Sequence, residues 1–270
     1  MCQTKLRINI MSIENFLSLS VLAAERGGEM LINYFEKIEK TTKIKNKNLR
    51  DLVSEVDLLS ENEIIKTLKT KCKNHNFLAE ERKFENNNSD YTWIIDPLDG
   101  TVNYIKGLKF CAISIALRFK SEVILGVVFN PFLKELFYAS KNNGAFLNGN
   151  KIFVSNTVNL KDSLFISAFS SEIDALKKKK EYENFGKINN QSLGALRIGS
   201  AALALAYVAK GSIDGFWGRN LQTWDVEAGI CLVNEAKGKI YQNKLSNLKK
   251  TVLAGNENIV KIMKKEVLNI

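Results

Sequence analysis

Apolar and polar positions divide the chain into a helical beginning, a strand-rich middle and an alternating end. Residues 13–36 place apolar or small side chains at helical spacing, which predicts an amphipathic helix whose small central residues pack closely against a neighbour. A second helix is predicted over Asp57–Lys71. Five strands separated by turn residues are predicted next, over Thr92–Ile95, Ala112–Phe119, Val123–Phe129, Glu135–Ala139 and Gly144–Leu147.

Strands and helices alternate in the rest of the chain. The predicted strands are Leu164–Ala168, Ser192–Arg197, Ile213–Trp217 and Thr251–Ala254, and the predicted helices are Glu172–Phe185, Ser200–Lys210, Trp224–Lys237 and Asn256–Lys265. An antiparallel region followed by alternation predicts a layered fold of the α/β (α+β) class. We expect an N-terminal α+β subdomain over residues 1–155 and a C-terminal α/β subdomain over residues 156–270, folded as one continuous unit.

Neither a membrane span nor a secretion signal is predicted. The longest unbroken apolar stretch, Ala201–Ala209, has nine residues, whereas a spanning helix needs about 20. The N-terminus lacks the apolar core and cleavage site of a signal peptide. Residues 1–10 show no capping or periodic pattern, which makes Met11 a candidate for the true start.

Composition fits a reduced, cytoplasmic globular protein. The four cysteines (Cys2, Cys72, Cys111 and Cys231) form no C-x-x-C pair, which argues against a zinc ribbon or a disulfide framework. The net charge of +10 would attract phosphorylated substrates, RNA or an anionic membrane surface. The excess is mostly scattered lysine, and its densest run, Lys177–Lys180, has no interleaved aromatics. Charge alone therefore gives weak support to specific nucleic-acid binding.

The single histidine, His75, excludes several catalytic classes. Histidine-rich zinc sites, Ser-His-Asp triads and Cys-His pairs all need a histidine in a particular place. His75 lies in a polar, turn-like stretch, and we interpret it as a solvated loop residue. The chemistry must then depend on carboxylates, hydroxyls, backbone amides and a metal.

Two carboxylates, Asp96 and Asp99, follow the buried-type strand Trp93–Ile95. Pro97 cannot donate a ladder hydrogen bond, so we expect the strand to end there. Gly100 would let an anion approach the backbone, which predicts a phosphate cradle beside metal-binding carboxylates. The alternative is an Asp-Pro turn in which Asp99 caps a helix.

Other acids could complete a cation site. Glu80 and Glu81 follow a short apolar run, and Asp225 stands at the head of a predicted helix. A charged loop and an ordinary helix N-terminal aspartate are the structural alternatives for these acids. If Glu80, Asp96, Asp99 and Asp225 converge, like charges about 4 Å apart repel by roughly 4 kcal/mol per pair at an effective dielectric of 20. Such a cluster needs hard cations, Mg²⁺ or Mn²⁺.

The motifs resemble those of a known family. Residues 93–104 (WIIDPLDGTVNY) resemble the first signature of the inositol monophosphatase family of Mg²⁺-dependent, lithium-sensitive phosphatases, and residues 224–238 (WDVEAGICLVNEAKG) resemble the second. Shorter matches lie at 51–57, 78–81 and 197–203, in the family's order. The resemblance covers about residues 13–256 and is strongest to the bacterial inositol-1-monophosphatase branch, the SuhB type.

The resemblance implies a layered α-β-α-β-α sandwich, two or three Mg²⁺ ions and a homodimer. The implied metal ligands, most of them in the N-terminal subdomain, are Glu80, Asp96, the Leu98 carbonyl, Asp99 and Asp225. Thr101, with Glu80 and a metal, would position and deprotonate the attacking water, and Asp57 would hold the Thr101 hydroxyl. The implied substrate contacts are Gly100 and Thr101 for the phosphate, and Gly199, Ser200, Ala201, Asp225 and nearby Arg197 for the remainder.

Some positions depart from the family pattern. Ala79 replaces a glycine, a mild change, whereas Glu227 and Lys237 replace small residues and are expected on the solvent side of their helix. Gly218 falls where many members carry a glutamate that contacts the inositol ring, and Gln222 replaces a frequent polar or basic neighbour. The metal and phosphate positions are therefore complete, while the alcohol-reading part is altered.

The implied substrate is a small phosphorylated polyol or sugar. Inositol 1-phosphate is the first candidate, and fructose 1,6-bisphosphate, histidinol phosphate and 3′-phosphoadenosine 5′-phosphate are alternatives. A regulator associated with RNA or the transcription machinery is an alternative from another class. A degenerate structural homologue is a third alternative, which the intact carboxylate set argues against.

Overall fold

The computed structural model describes residues 11–41, 49–169, 175–246 and 248–268. The predicted helix start at Glu172 and the segment before Met11 lie outside these residues. The helices are α1 (Ile13–Thr41), α2 (Leu49–Cys72), α3 (Thr101–Ile105), α4 (Ala175–Gln191), α5 (Ala201–Ala209), α6 (Thr223–Glu235) and α7 (Glu257–Met263). A 3₁₀ turn covers Leu160–Asp162, and a π-helical turn, Lys264–Leu268, follows α7.

Twelve strands form two sheets in the described residues. The first sheet contains β1 (Asn76–Ala79), β2 (Tyr91–Asp99), β3 (Ala112–Phe119), β4 (Glu122–Asn130), β5 (Glu135–Ser140), β6 (Gly144–Leu147) and β7 (Asn150–Ile152), in chain order. The second contains β8 (Leu164–Ala168), β9 (Gly194–Leu196), β10 (Gly215–Gln222), β11 (Lys239–Lys244) and β12 (Lys249–Gly255), in the order β11-β12-β10-β8-β9.

The helices lie in three layers around the two sheets. α1 and α2 cover one face of the first sheet, and α5 and α6 lie between the sheets. α4 and α7 pack on the outer side of the second sheet. This arrangement confirms the α-β-α-β-α sandwich that the resemblance implies.

The middle layer follows from the composition of α5. Its sequence is almost entirely alanine, leucine and valine, and all its residues except Tyr207 are buried. A helix that is apolar on every side is stable only inside a protein, so α5 belongs between two sheets. At its start, the Ser200 hydroxyl accepts a hydrogen bond from Leu203 N (3.2 Å) and caps the helix.

The predicted close packing of the first helix is confirmed. A Cβ atom on Gly27 would lie 2.8 Å from Cγ1 of Ile64, which belongs to α2. On Gly28 it would lie 2.7 Å from Cε1 of Phe129, which belongs to β4. These two glycines therefore let α1 approach both α2 and the first sheet.

The expected end of the strand at Pro97 is wrong. β2 continues to Asp99, and its register with β3 shifts between Asp96 and Asp99. A bulge leaves residues out of the ladder, so Pro97 lies where its missing N–H breaks no pair. The Pro97 carbonyl accepts a hydrogen bond from the Ser60 hydroxyl (3.2 Å), which ties the bulge to α2.

Sequence periodicity missed three short strands and misplaced some helix ends. β1 and β7 have four and three residues, too few for a clear alternation, and the largely exposed β11 is polar because it lies at a sheet edge. α2 begins at Leu49, eight residues before the predicted start at Asp57, and α4 ends at Gln191 instead of Phe185.

His75 lies in a turn between α2 and β1, as expected, but the interpretation that it is solvated is wrong. Its ring is partly buried and stacks on Tyr91, with ring centroids 4.7 Å apart and planes inclined by 10°. Phe16 of α1 lies on the same aromatic group, 5.6 Å from the His75 ring. Burial lowers the pKa of His75, which favours the neutral ring in this aromatic group.

The chain passes from the first sheet to the second between Ile152 and Leu164. The division into subdomains at residues 155 and 156 stays a prediction. α6 packs on strands of both sheets and so connects the two halves of the chain. Among the described residues, no helix is long and apolar enough to cross a membrane.

Candidate active site

Three structural elements bring the four predicted acids together. Glu80 follows β1, Asp96 and Asp99 end β2, and Asp225 lies in the first turn of α6. β1 and β2 are parallel, so their carboxyl ends lie at the same edge of the sheet. The Ser114 hydroxyl, on the β3 residue opposite Asp96, donates to the Trp224 carbonyl (3.0 Å) and fixes the start of α6 at that edge.

The bulge in β2 directs its two aspartates. Leu98 N donates to Oδ1 of Asp96 (2.9 Å), an Asx-type turn that holds the buried carboxyl in place. Oδ2 of Asp99 accepts from the Ser200 hydroxyl and from Ala202 N, both at 2.6 Å. Asp99 therefore links the acidic edge of the first sheet to the start of α5.

Each of the four acids has a raised pKa. Burial raises the pKa of Asp96 well above its usual range, and the charges of Glu80, Asp99 and Asp225 add to the effect. Burial and the charges of Asp99 and Glu80 do the same for Asp225. The pKa of Asp99 rises to about 6 through loss of hydration, and its bonds to Ser200 and Ala202 limit the rise.

Glu80 is the most exposed of the four acids, yet its carboxyl also loses hydration beside the other carboxylates. Loss of hydration raises its pKa to about 7, with further contributions from Glu81, Asp99 and Glu61, while a hydrogen bond with Asp96 opposes the rise. Within the described ranges, no lysine or arginine contributes to the pKa shifts of the four clustered carboxyls. The pKa values of the four carboxyls are thus not lowered by a basic side chain of the described residues.

The donor set fits a hard cation, although the side chains are not in coordinating positions. In the described ranges, no three His, Cys, Asp or Glu side chains already stand in metal-holding geometry. Asp99 points instead to Ser200 and Ala202, and Glu80 bonds to Asp96. Oxygen ligands crowded without a counter-charge are the chemistry that Mg²⁺ and Mn²⁺ satisfy.

Gly100 is required at the turn that follows β2. Its φ is +99°, in the left-handed region, and a Cβ there would lie 2.8 Å from the Phe110 carbonyl oxygen. The next residue, Thr101, begins α3, and its hydroxyl donates to the Leu98 carbonyl (3.2 Å). The turn therefore brings a hydroxyl and the backbone of two predicted phosphate-binding residues beside the acids.

The partner of Thr101 differs from the predicted Asp57. Asp57 is buried in α2, and its Oδ1 atom has no hydrogen-bond partner in the part of the chain that the structure describes. Burial and the charges of Glu81, Glu80 and Glu61 raise the pKa of Asp57 to about 8. Asp57 thus belongs to the acidic surroundings of the site, and its role towards Thr101 stays a prediction.

A cavity of about 170 Å³ opens beside the acids. It is lined by Asp99, Asp225, Ser167, Ala168, Phe169, Arg197, Gly199, Ser200, Ala201 and Leu221. The structure thus brings the predicted alcohol-binding segment to the carboxylates. The Arg197 guanidinium lies over the Phe169 ring, 5.2 Å from its centroid, which fixes one wall of the cavity.

Sequence reasoning missed two residues of this site. The Asn103 side-chain amide donates to the carbonyls of Ile198 (2.7 Å) and Phe110 (2.6 Å), and joins the phosphate turn to the segment before α5. Ser167 is 1% exposed, lines the cavity and has a hydroxyl without a partner in the described residues. Asn103 stands inside the first signature, but nothing in a single sequence indicates its distant acceptor.

The expected exposure of Glu227 is wrong. Its side chain is 5% exposed and forms ion pairs with Arg118 (3.0 Å) and Lys250, so it lies in a charged cluster inside the protein. Lys237 is exposed as expected, with φ of +67°. At Gly218, a Cβ would lie 2.6 Å from Cδ1 of Leu221, which shows that Leu221 fills the space beside this glycine.

Solved structures identify the class of protein that this fold defines. Inositol monophosphatase from Anabaena (Nostoc) sp. PCC 7120 is similar with a TM-score of 0.84 and 31% identity, over 96% of this chain and 98% of that chain. Extragenic suppressor protein suhB from Bartonella henselae gives a TM-score of 0.82 and 32% identity, over 94% and 99%. The sandwich is therefore that of the inositol monophosphatases.

Sequence comparison leads to the same family. The model of the inositol monophosphatase family matches residues 12–268. Nus factor SuhB of Escherichia coli (strain K12) is 36% identical over 252 residues, 92% of this chain and 93% of that protein. Inositol-1-monophosphatase of Mesorhizobium japonicum is 34% identical over 257 residues, 93% of this chain and 95% of that protein. The chain belongs to the inositol monophosphatase family.

Proposed function

We propose that the chain is a Mg²⁺-dependent phosphatase that hydrolyses a small phosphate monoester, with water as the nucleophile. The observation that carries the proposal is the convergence of Glu80, Asp96, Asp99 and Asp225. Burial raises the pKa of all four acids, neighbouring carboxylates add to the rise at Glu80, Asp96 and Asp225, and no basic side chain of the described residues contributes to lowering it. An enzyme that acts on a phosphate dianion through carboxylates needs cations to overcome this repulsion.

The residues that would hold two or three Mg²⁺ ions are the four acids and the Leu98 carbonyl, and Mn²⁺ would substitute. Once bound, the ions neutralise phosphate charge and make a coordinated water more acidic. The Asp99 carboxyl would have to turn from Ser200 and Ala202 to take part. We therefore expect metal binding to rearrange side chains at the start of α5.

The chain's own groups have distinct proposed roles. Glu80 would act as the general base that accepts a proton from the attacking water. The Thr101 hydroxyl would orient that water. To do so it would rotate away from the Leu98 carbonyl and donate a hydrogen bond to Asp57 instead. Backbone amides of Gly100 and Thr101 would hold the phosphate. Arg197 and residues 199–201, which line the cavity with Asp225, would contact the alcohol.

The substrate is a small phosphorylated polyol or sugar, with inositol 1-phosphate as the first candidate. Family membership supports this choice. The wall formed by Gly218, Leu221 and Ala168 is apolar, which offers no partner for a hydroxyl on that side. Because an inositol hydroxyl would have no partner on this side, fructose 1,6-bisphosphate, histidinol phosphate and 3′-phosphoadenosine 5′-phosphate remain alternative substrates.

The test is release of inorganic phosphate from these four compounds by the purified protein, with and without Mg²⁺. The proposal predicts turnover of at least one compound that requires the metal and disappears in Asp96→Asn. Turnover of equal rate in EDTA would contradict the proposed metal dependence. Release from none of the four would contradict the proposed substrate class.

Two finer properties of the family are proposed for this chain, inhibition by lithium and a homodimeric state. Lithium is a small hard cation that would compete for oxygen ligands of the same cluster. Turnover in LiCl against NaCl at equal ionic strength tests the first property. Light scattering at several protein concentrations tests the second, and a mass near 30.4 kDa throughout would contradict it.

A regulatory function is the second candidate, because several relatives carry the name Nus factor SuhB. The net charge of +10 is compatible with contact to RNA. A gel shift with structured RNA, repeated at rising salt, tests this function. Salt-sensitive binding together with absent phosphatase activity would favour the regulator over the enzyme.

A further inference from the structure

A second cavity, of about 410 Å³, lies beside α6 and is named here the α6 cavity. Its walls are the β3–β4 turn, the β5–β6 turn, one face of α6 and parts of β11 and β12. It shares no lining residue with the cavity beside the acids. Its volume is in the range of small-molecule sites, which bury a ligand between fixed walls.

Every carboxylate that lines the α6 cavity already has a partner. Glu227 accepts from Arg118 at 3.0 Å and from Lys250, and Glu122 accepts from Lys141 at 2.7 Å. Glu235 accepts from two backbone N–H groups of the β5–β6 turn, at 3.0 and 2.9 Å. The acids of this cavity therefore have no need of a cation.

Donors remain after these pairs are formed. Lys244 lines the cavity and has no carboxylate partner among the described residues. Arg118 also lines the cavity, and its side chain is 26% exposed, so its guanidinium remains accessible beside the pair with Glu227. The amides of Asn234 and Gln242 also line the cavity and add further polar atoms. A cavity with satisfied acids and spare basic donors is suited to a negatively charged ligand.

We infer that the α6 cavity binds a small anion that carries a phosphate or carboxylate group. Lys244 and the Arg118 guanidinium provide its charged contacts. Lys250 also lines the cavity, where it forms an ion pair with Glu227. A guanidinium can form two parallel hydrogen bonds with either a phosphate or a carboxylate. The inference therefore covers ligands with either group. Ile230 and Val123 give the body of the ligand an apolar surface.

The position of the α6 cavity connects it to both sheets. Lys250 of β12 pairs in register with Leu221 of β10, which lines the cavity beside the acids. Arg118 belongs to the first sheet, and Glu227 belongs to α6, two residues after Asp225. A bound anion would therefore contact the first sheet, the middle layer and the second sheet together. We expect its binding to raise the melting temperature of the protein.

The test is calorimetric titration of inorganic phosphate, and separately of malonate, into the full-length protein after its metal has been removed with EDTA and the EDTA, itself a polycarboxylate, has been dialysed away. Without metal, the acidic cluster repels anions, so binding at the proposed catalytic site is suppressed. The inference predicts one binding event per chain for at least one of the two anions. Lys244→Glu should weaken it by at least about tenfold, because reversal of a contacting charge removes attraction and adds repulsion.

The matched control is Lys239→Glu, an exposed lysine of the same strand that does not line the cavity. Binding that is lost in Lys244→Glu and kept in Lys239→Glu supports the inference. Binding of neither anion contradicts it, as do equal losses in the two variants, which would indicate a general effect of surface charge. The inference does not depend on the proposed phosphatase activity, because no turnover is measured.

Discussion

Two acids of α6, Asp225 and Glu227, are two residues apart and lie in opposite electrostatic surroundings. Asp225 faces Asp99 and Glu80, and its pKa is raised well above the usual range by burial and by their charges. Glu227 is more deeply buried and accepts hydrogen bonds from Arg118 and Lys250. Among the described residues, Glu227 thus has two basic partners, whereas no basic side chain lowers the pKa of Asp225.

The difference indicates where an external cation belongs. Burial of a charge without a counter-charge costs several kcal/mol, and a protein keeps such an arrangement where a ligand supplies the missing charge. The acids around Asp225 form such an arrangement. Around Glu227, by contrast, the negative charge is balanced by Arg118 and Lys250. We therefore assign metal binding to the first region and a structural or anion-binding role to the second.

The largest expected effect comes from Asp96→Asn in the uncompensated region. Turnover should fall by at least about 10³-fold, because metal ions contribute several kcal/mol to such reactions. The metal-free variant should melt no lower than the wild-type protein, because one repelling charge is gone. Assays with saturating Mg²⁺ and thermal melts in EDTA check both statements, and full activity in the variant would refute the assignment of Asp96 as a ligand.

Glu227→Gln tests the compensated region and should act on stability. It leaves the cations of Arg118 and Lys250 buried without a carboxylate, which costs about 3 kcal/mol in comparable buried pairs. Urea unfolding measures this loss. Glu122→Gln, which breaks an exposed pair with Lys141, is the control and should cost less than about 1 kcal/mol. Equal costs for both variants would mean that burial of the Glu227 cluster has no special weight.

Thr101→Ala should lower the rate much more than it lowers metal affinity. Loss of a group that positions or deprotonates water costs about 10²-fold in kcat, while Mg²⁺ affinity should change less than about twofold because the carboxylates are intact. Thr101→Ser keeps the hydroxyl and should recover most of the rate. Equal losses of rate and affinity in Thr101→Ala would show that Thr101 is structural.

The last expected effect is a pH dependence of stability in EDTA. Asp57 has a pKa of about 8 in the folded chain against an ordinary value of 3.8, so folding favours its protonated form. Its contribution to stability is present below about pH 4 and is lost as the pH rises through about 8. Melting temperatures measured from pH 4 to 9 should fall more steeply in the wild type than in Asp57→Asn. Identical slopes would exclude Asp57 as the source.

Much of the acidic region could be predicted from the sequence, because its residues are carried by short local motifs. Asp96, Asp99 and Gly100 follow one another in the chain, and the bulge that aims them is set by local backbone chemistry. Their convergence with Asp225 was a hypothesis that the structure supports, since β3 and α6 meet through Ser114. The roles of these residues in catalysis stay proposals.

The paired region could not be predicted, because its contacts join residues far apart in the chain. Arg118 and Glu227 are separated by 109 positions, and their pairing depends on the packing of α6 against the first sheet. For this reason Glu227 was expected at the surface. The prediction that His75 is solvated was wrong for the same reason, since its ring contacts with Tyr91 and Phe16 arise from tertiary packing.

The most direct test of the account is calorimetric titration of Mg²⁺ into the metal-free wild type, Asp96→Asn and Glu227→Gln. The account predicts binding to the wild type, a loss of at least about tenfold in affinity in Asp96→Asn, and no change beyond about twofold in Glu227→Gln. Mg²⁺ affinity that is unchanged in Asp96→Asn, or lost equally in both variants, would contradict the assignment of the cation site to the uncompensated acids.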